Sequence, residues 1–410
     1  MRTPLDGIRV LDFTRVLAGP HCTRMLADLG AEVIKVEPPD ADLTRFQSPR
    51  RNGIATYFAQ QNTGKRCISI DLATAEGSEL ALRLAERCDV VVENFRPGVM
   101  ARLGLSYETL SARNPAIILC SISGYGQTGP WRSRRAYASV VQAESGITES
   151  QSTAFGQYRN DRHSHADAYT GMEAATAITA ALFQRSRTGT GQHVDVSMAD
   201  TMLYANEHTH DDLWEGDVDP NWIRSFGNDK HQIVTVGDGS RAVIAGHPAQ
   251  PGTFERVVDC IGRADLAADP RLATPAGRLE HFDLITDAVS AYAATVPDVE
   301  TLEAAFGRYA LAVGAIRSVA DLANSEWAAE RGSIVDVDDR GGGTFRIPNS
   351  PWRFSDAADV GVRGAVKYRG EDNAAVLREL LGSTDEEIDR WEADGVLSQH
   401  MPGGRADRGG

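Results

Sequence analysis

Short apolar runs alternate with longer amphipathic stretches over the first 125 residues. "IRVLDF" (Ile8 to Phe13) has strand length, "HCTRMLADLG" reads as a helix closed by Gly30, and "AEVIKVE" reads as a second strand. "CISIDL" (Cys67 to Leu72), "AEGSELALRLAERC", "DVVVENF" and "PAIILCSISGYG" continue the alternation. This pattern predicts an α/β fold, a Rossmann-like parallel sheet with helices on both faces. The loops after the strands, Thr14 to Pro20, Ala73, Asn94 to Pro97 and Gly124 to Pro130, then fall at the carboxyl edge, where such sheets bind ligands.

Beyond Ala136 the pattern predicts a less regular stretch to about Arg162 and an apolar helix from Gly171 to Gln184. A "TGTG" turn, the strand "HVDVSM" and a helix from about Asp200 follow. The strands "HQIVTVG" and "SRAVIAG" open a run of acidic helices, read as a smaller inserted α/β domain over 225–325. The large domain is expected over 1–215, with a return over 326–400 that carries "GSIVDVDD", "GTFRIPNSPWRF" and one last amphipathic helix. The tail "PGGRADRGG" is expected to be disordered.

At 410 residues the chain is long enough for two such domains. Its five cysteines are scattered and unpaired in sequence, which suits a reducing compartment and argues against structural zinc. The N-terminus has no basic segment followed by an apolar one, and no apolar run reaches the ~18 residues of a membrane span. The expectation is a soluble, cytoplasmic protein that does not act at a membrane. The net charge of -15 disfavours nucleic acid. Residues 1–140 nevertheless carry 18 basic against 14 acidic residues, a balance that suits a small anionic ligand.

Several chemistries lack their residues. The turn after the first strand, "TRVLAGPHC", has no G-x-G-x-x-G, so a dinucleotide pyrophosphate has no glycine cradle. "NTGKRC" puts Cys67 where a P-loop needs a hydroxyl, and no G-x-S-x-G elbow is present. His163, His165 and Asp167 have a metal-site spacing, and His208, His210, Asp211 and Asp212 form a second cluster, enough donors for a dinuclear hydrolase. Against this, Ala168 stands where such hydrolases carry a further His, and on a helix residues 208 and 210 diverge by about 200 degrees. Asp167 alone offers another reading. Just ahead of the apolar helix, whose Met172, Ala175, Ile178 and Leu182 share one face, it serves either as an N-cap or as a nucleophile kept ionised by the helix dipole.

Six ordered segments carry a resemblance: "PLDGIRVLDFTRVLAGPHCTRMLADLGAEVIKVEPP", "NTGKRCISIDL", "DVVVENFRPGVMARLGL", "NPAIILCSISGYGQTGP", "ADAYTGMEAATAITAALFQRSRTGTGQHVDVSM" and "GEDNAAVLRELLG". In these the chain resembles the class III CoA-transferases, the CaiB and BaiF family, over nearly all its length outside residues 205–325. The resemblance implies that Asp167, in its D-x-x-x-G-M context with Gly171 and Met172, is the nucleophile and that the histidines are incidental. It implies a large domain built from both chain ends, a small domain, and two chains interlocked as a homodimer. Coenzyme A is then a substrate, with no permanently bound cofactor and no metal, and the partners are an acyl-CoA and a carboxylic acid.

Carried over by motif, the CoA contacts are Arg15, Ala18, Ile70, Ala73, Asn94, Phe95 and Arg102. Arg45 and Arg135 are further cations for the phosphates, and Leu17 and Tyr137 lie on the substrate side. Two departures bear on specificity. The glycine run of the formyl-CoA transferase branch is missing, only "SFGNDKHQ" and "VGDGS" being present, which disfavours oxalate and formate. The catalytic His of the related α-methylacyl-CoA racemases is replaced in "AYASVVQA" by a stretch with Tyr137, which favours transfer over racemisation because a two-base racemase needs an acid/base on each face of the α-carbon.

Overall fold

Val10, Val90, Val92 and Ile118 point to one side of a sheet, and Leu11, Phe13, Val91 and Leu119 to the other; all are buried. Such two-sided burial is what a parallel sheet covered on both faces requires. The computed structural model describes residues 3–217, 231–357 and 360–399. The expected disorder of the tail and most of "SFGNDKHQ" lie outside them. The chain forms two compact units, one of Met1–Ala205 with Glu326–Gly410 and one of Asn206–Ser325.

In the first unit six parallel strands form one sheet: β1 (Arg9–Asp12), β2 (Glu32–Glu37), β5 (Arg66–Ser69), β6 (Val90–Glu93), β7 (Ile118–Ser123) and β8 (His193–Ser197). A short hairpin, β3 (Arg50–Arg51) with β4 (Ile54–Ala55), interrupts the series. The spatial order is β5-β2-β1-β6-β7-β8, so the winding reverses between β1 and β6. Loops leaving the carboxyl ends of those strands part there and open a crevice.

On one face pack α1 (Ala18–Asp28) and the long α8 (His165–Thr188), through Cys22, Leu26, Ala174, Ala175, Ile178 and Leu182. The helix α2 (Thr56–Asn62) lies beside α1. The other face is covered by α3 (Ala75–Ala85), by α4 (Val99–Arg102) and α5 (Tyr107–Arg113), and by the C-terminal return through Val376, Leu377, Ile388 and Trp391. A separate small cluster joins α6 (Ala138–Glu144), the start of α8 and α9 (Met198–Ala205) through Val141, Ala166 and Met202. The second unit has a three-stranded antiparallel sheet, Gln232–Thr235, Arg241–Ile244 and Val313–Ala315, packed with helices such as Phe282–Thr295.

Five expectations need correction. The stretch 137–162 is not irregular: it holds α6 and α7 (Ile147–Phe155), and α7 has no buried residue to produce an apolar stripe. The C-terminal amphipathic segment is two helices, Asn373–Leu381 and Asp385–Ala393. Gly382 ends the first at φ 68°, and a capping box of Thr384 and Glu387 starts the second. Helix α8 begins at His165, six residues ahead of the apolar pattern, so Asp167 lies in its first turn. Ser164, not Asp167, is the N-cap residue, which removes the capping role. Met172 is also not on the buried face, at 47% exposure.

Candidate active site

At the crevice between β1 and β6 lies a cavity with Asp167 on its wall. Three strand ends supply most of the rest: Arg15, Val16 and Ala18 after β1, Asn94 and Phe95 after β6, and Ser123 ending β7 with Gly124 after it. Arg132, Arg135 and Tyr137, from the segment leading into α6, complete the mouth. The β1 and β6 loops are stitched together by Asn94, whose side chain accepts from the Arg15 N–H and donates to the Arg15 carbonyl, both at 2.8 Å.

Asp167 is half-buried, and the shape of the sequence around it follows from packing. A Cβ on Gly171, one turn on, would lie 2.6 Å from the carbonyl oxygen of Ala18. Only glycine therefore lets α8 approach the start of α1 so closely. Burial pushes the Asp167 carboxyl up to about 6, while the backbone N–H groups of Ala18 and Ala138 pull it the other way. Those two residues are the first of α1 and of α6, so the carboxylate is favoured by the N-terminal ends of two further helices.

Arg15, Ala18, Asn94, Phe95, Arg135, Tyr137 and Asp167 thus share one cavity. Arg132 and Arg135 have no ion pair among the described residues, and Tyr137 is 66% exposed. The remaining expected contacts are not among the residues that line the cavity. Arg45 is not a free cation: its guanidinium pairs with the buried Glu37 (2.5 and 2.8 Å), donates to the Lys367 carbonyl and stacks over Phe58. The Ile70 side chain belongs to the core and its N–H goes to the Glu37 carbonyl. Ala73 is exposed with its N–H on Asp71, Arg102 ends α4 at the surface, and Leu17 is the N-cap residue of α1.

The metal set of His163, His165 and Asp167 is not assembled. Both imidazoles turn instead to Asp161, at 3.4 and 2.8 Å, and His163 is 73% exposed. Asp161, His163 and His165 are the one group with metal-binding proximity among the described residues. His208, His210, Asp211 and Asp212 belong to the second unit, in and beside a single helical turn, Thr209–Asp212, where the two histidines pair with Glu207 and Asp211.

Two features near the site had no legible signal. Tyr57, on α2 and outside the cavity lining, has its phenol pushed up to about 12 by burial and by the negative charges of Asp167 and Asp42. Val16 holds a left-handed backbone, φ 69°, which nothing in a valine announces.

Residues 5–373 match the family model described as CoA-transferase family III. Succinyl-CoA–D-citramalate CoA-transferase of Chloroflexus aurantiacus is 33% identical, over 96% of this chain and 98% of that protein. Succinate–glutarate CoA-transferase of Agrobacterium fabrum is 34% identical, over 92% and 96%. Among solved structures, a CaiB/BaiF family protein from Brucella suis superposes with a TM-score of 0.77 at 34% identity, covering 93% of this chain and all of that one. The chain is therefore a member of CoA-transferase family III, with its half-buried aspartate at the switch point of the sheet.

Proposed function

We propose that this enzyme moves CoA from an acyl-CoA to a free carboxylic acid, with Asp167 as the covalent nucleophile. The observation that carries the reading is a carboxylate at the switch-point cavity whose pKa is pushed up to about 6. Such a group is still largely ionised at pH 7 yet more basic, hence a better nucleophile, than a surface aspartate. An Asp167 oxygen attacks the thioester carbonyl and expels CoA thiolate, leaving an acyl-aspartyl anhydride. The thiolate attacks the aspartyl carbonyl, releasing the donor acid and forming an aspartyl-CoA thioester. The acceptor carboxylate attacks that thioester and again frees the thiolate, giving a second anhydride. Attack of the thiolate on its acyl carbonyl yields the new acyl-CoA and restores Asp167. Atoms and charge balance with no change of oxidation state. The Ala18 and Ala138 N–H groups, which favour the Asp167 carboxylate, are the candidate donors to the oxyanions that form on the aspartyl side.

Arg15, Arg132 and Arg135 suit the phosphates of CoA and a second carboxylate on the acid. The named relatives act on succinyl-CoA, citramalate, succinate and glutarate. Succinyl-CoA as donor and short dicarboxylic acids as acceptors are accordingly the first pair to assay. An α-methylacyl-CoA racemase reading lacks its second base, since no histidine lines the cavity among the described residues. The test follows an isotope-labelled acid into its CoA ester: wild type should transfer, and Asp167→Asn should lose several orders of magnitude. A near-normal rate in the Asn variant would reject the assignment.

A further inference from the structure

Val16 is β-branched, lines the cavity two residues ahead of Ala18, and sits at φ 69°, a region such side chains seldom enter. Its N–H donates to the Asp42 carboxylate, 3.2 Å to Oδ2 and 3.4 Å to Oδ1. The same carboxylate accepts from the Thr44 N–H and hydroxyl at 3.0 and 2.9 Å and from Lys35 Nζ at 3.2 Å. Lys35 Nζ also donates to the Thr14 carbonyl at 2.7 Å, so the pair grips the β1 loop on both sides of Arg15. Both side chains are 0% exposed. The loop after β2 is bound in return: Arg15 Nη2 donates at 2.8 Å to the carbonyl of Ala41, itself left-handed at φ 66°. Two neighbouring loops, each with one left-handed non-glycine residue, are laced together there.

Burial opposes both charges, but Lys35 and Thr44 hold the Asp42 carboxyl below its ordinary range, and Asp42, Asp12 and Glu37 hold the Lys35 ammonium above its own. A buried ion pair is poor value for stability against an apolar pair of equal size. A strained backbone, on the other hand, persists only where its surroundings over-determine it, and such places cluster at reacting sites. The residue held here lies two positions ahead of Ala18, which shares the cavity wall with Asp167 and whose N–H favours the Asp167 carboxylate.

We propose that Lys35 and Asp42 are positioning residues for CoA transfer: they hold Val16 in its left-handed conformation and thereby keep the Ala18 N–H on the Asp167 carboxylate. The proposal rests on Asp167 being the nucleophile. The test measures the rate of CoA-adduct formation on Asp167 in a single turnover, with circular dichroism as the check on folding. Two backgrounds are compared, Asp42→Asn and Lys35→Met with Asp42→Asn, the second leaving no buried charge unpaired. Loosening the turn should slow the adduct on the order of 10- to 100-fold. Adding Val16→Gly should recover roughly ten-fold of that loss, because glycine takes a positive φ without being held, while giving wild type no comparable gain. A pair that merely supports the sheet predicts no rescue by glycine. An unaltered rate in the folded variants, equal effects of Val16→Gly in all backgrounds, or failure of both backgrounds to fold would overturn the proposal and leave Asp167 as nucleophile. Absence of any adduct in wild type would overturn both.

Discussion

Asp167 ionises in surroundings that resist its charge, and two consequences can be measured at that one residue. Its carboxyl, pushed up to about 6 by burial, must be deprotonated to attack. The acid limb of kcat/KM should therefore fall below about pH 6 rather than near 4, read from a pH–rate profile of the wild type. The second consequence is for stability. A carboxyl whose folded pKa is above its unfolded value favours the native state below the unfolded pKa and loses that advantage as pH rises through about 6. Asp167→Asn, which carries no charge to desolvate, should then be more stable than wild type at pH 8. Discounted for partial exposure, the gain is about 1–2 kcal/mol, and it should vanish towards pH 4 in urea titrations. Equal stabilities at pH 8 would mean that the carboxylate is better solvated than the structure has it. Asp167 stood out as a candidate in "DAYTGM", but its environment did not: the amides that favour its carboxylate come from residues 18 and 138, which no local spacing links to 167.

Elements with a buried face were readable, and elements without one were not. The strand runs from Ile8 and Ala31 became β1 and β2 because alternate residues pack on opposite layers of helices. The apolar period does not mark the start of α8 because His165, Asp167 and Tyr169 are at most half-buried and the buried Thr170 is polar, so the pattern begins only with the helix's second turn. Helix α7 was missed because none of its residues is buried. The contact of α1 with α8 is where element packing meets the site. Gly171→Ala forces a methyl against the Ala18 carbonyl and should cost about 1–3 kcal/mol as the helices move apart. Activity should fall further than stability explains, since the same shift moves Asp167 from the Ala18 N–H. Denaturant midpoints and kcat, compared on the folded fraction, check both; an alanine variant with unchanged midpoint and rate would contradict this account of the D-x-x-x-G spacing.

For the molecule as a whole, the sheet order decides where the candidate site lies. Reversal of winding between β1 and β6 opens the only kind of gap in a doubly covered sheet that admits a ligand, and Asp167, distant in sequence from both loops, arrives there on α8. The alternation of strands and helices announced a parallel sheet, but neither the order of its strands nor the pairing of β7 with β8, some 70 residues on, can be read from local pattern. The acid that the enzyme accepts was not legible for a related reason, since the cavity walls are drawn from six separate stretches of chain. The first unit needs its C-terminal return to cover one face of the sheet, and it leaves Phe155, Phe183 and Tyr204 more than 60% exposed on helices α7 to α9. Apolar side chains so placed suit the interlocked homodimer that the sequence resemblance implies, and we propose that association here. Light scattering at micromolar concentration should give twice the 44.3 kDa chain mass, and a stable monomer would count against it.

The central claim is that Asp167 becomes covalently joined to CoA, and intact-protein mass spectrometry under turnover tests it most directly. After mixing with succinyl-CoA, or with whichever acyl-CoA the transfer assay identifies, wild type should show a labile adduct of CoA mass that maps to Asp167, and Asp167→Asn should show none. An adduct on another residue, or transfer at full rate with no protein-bound CoA at any time, would contradict the account.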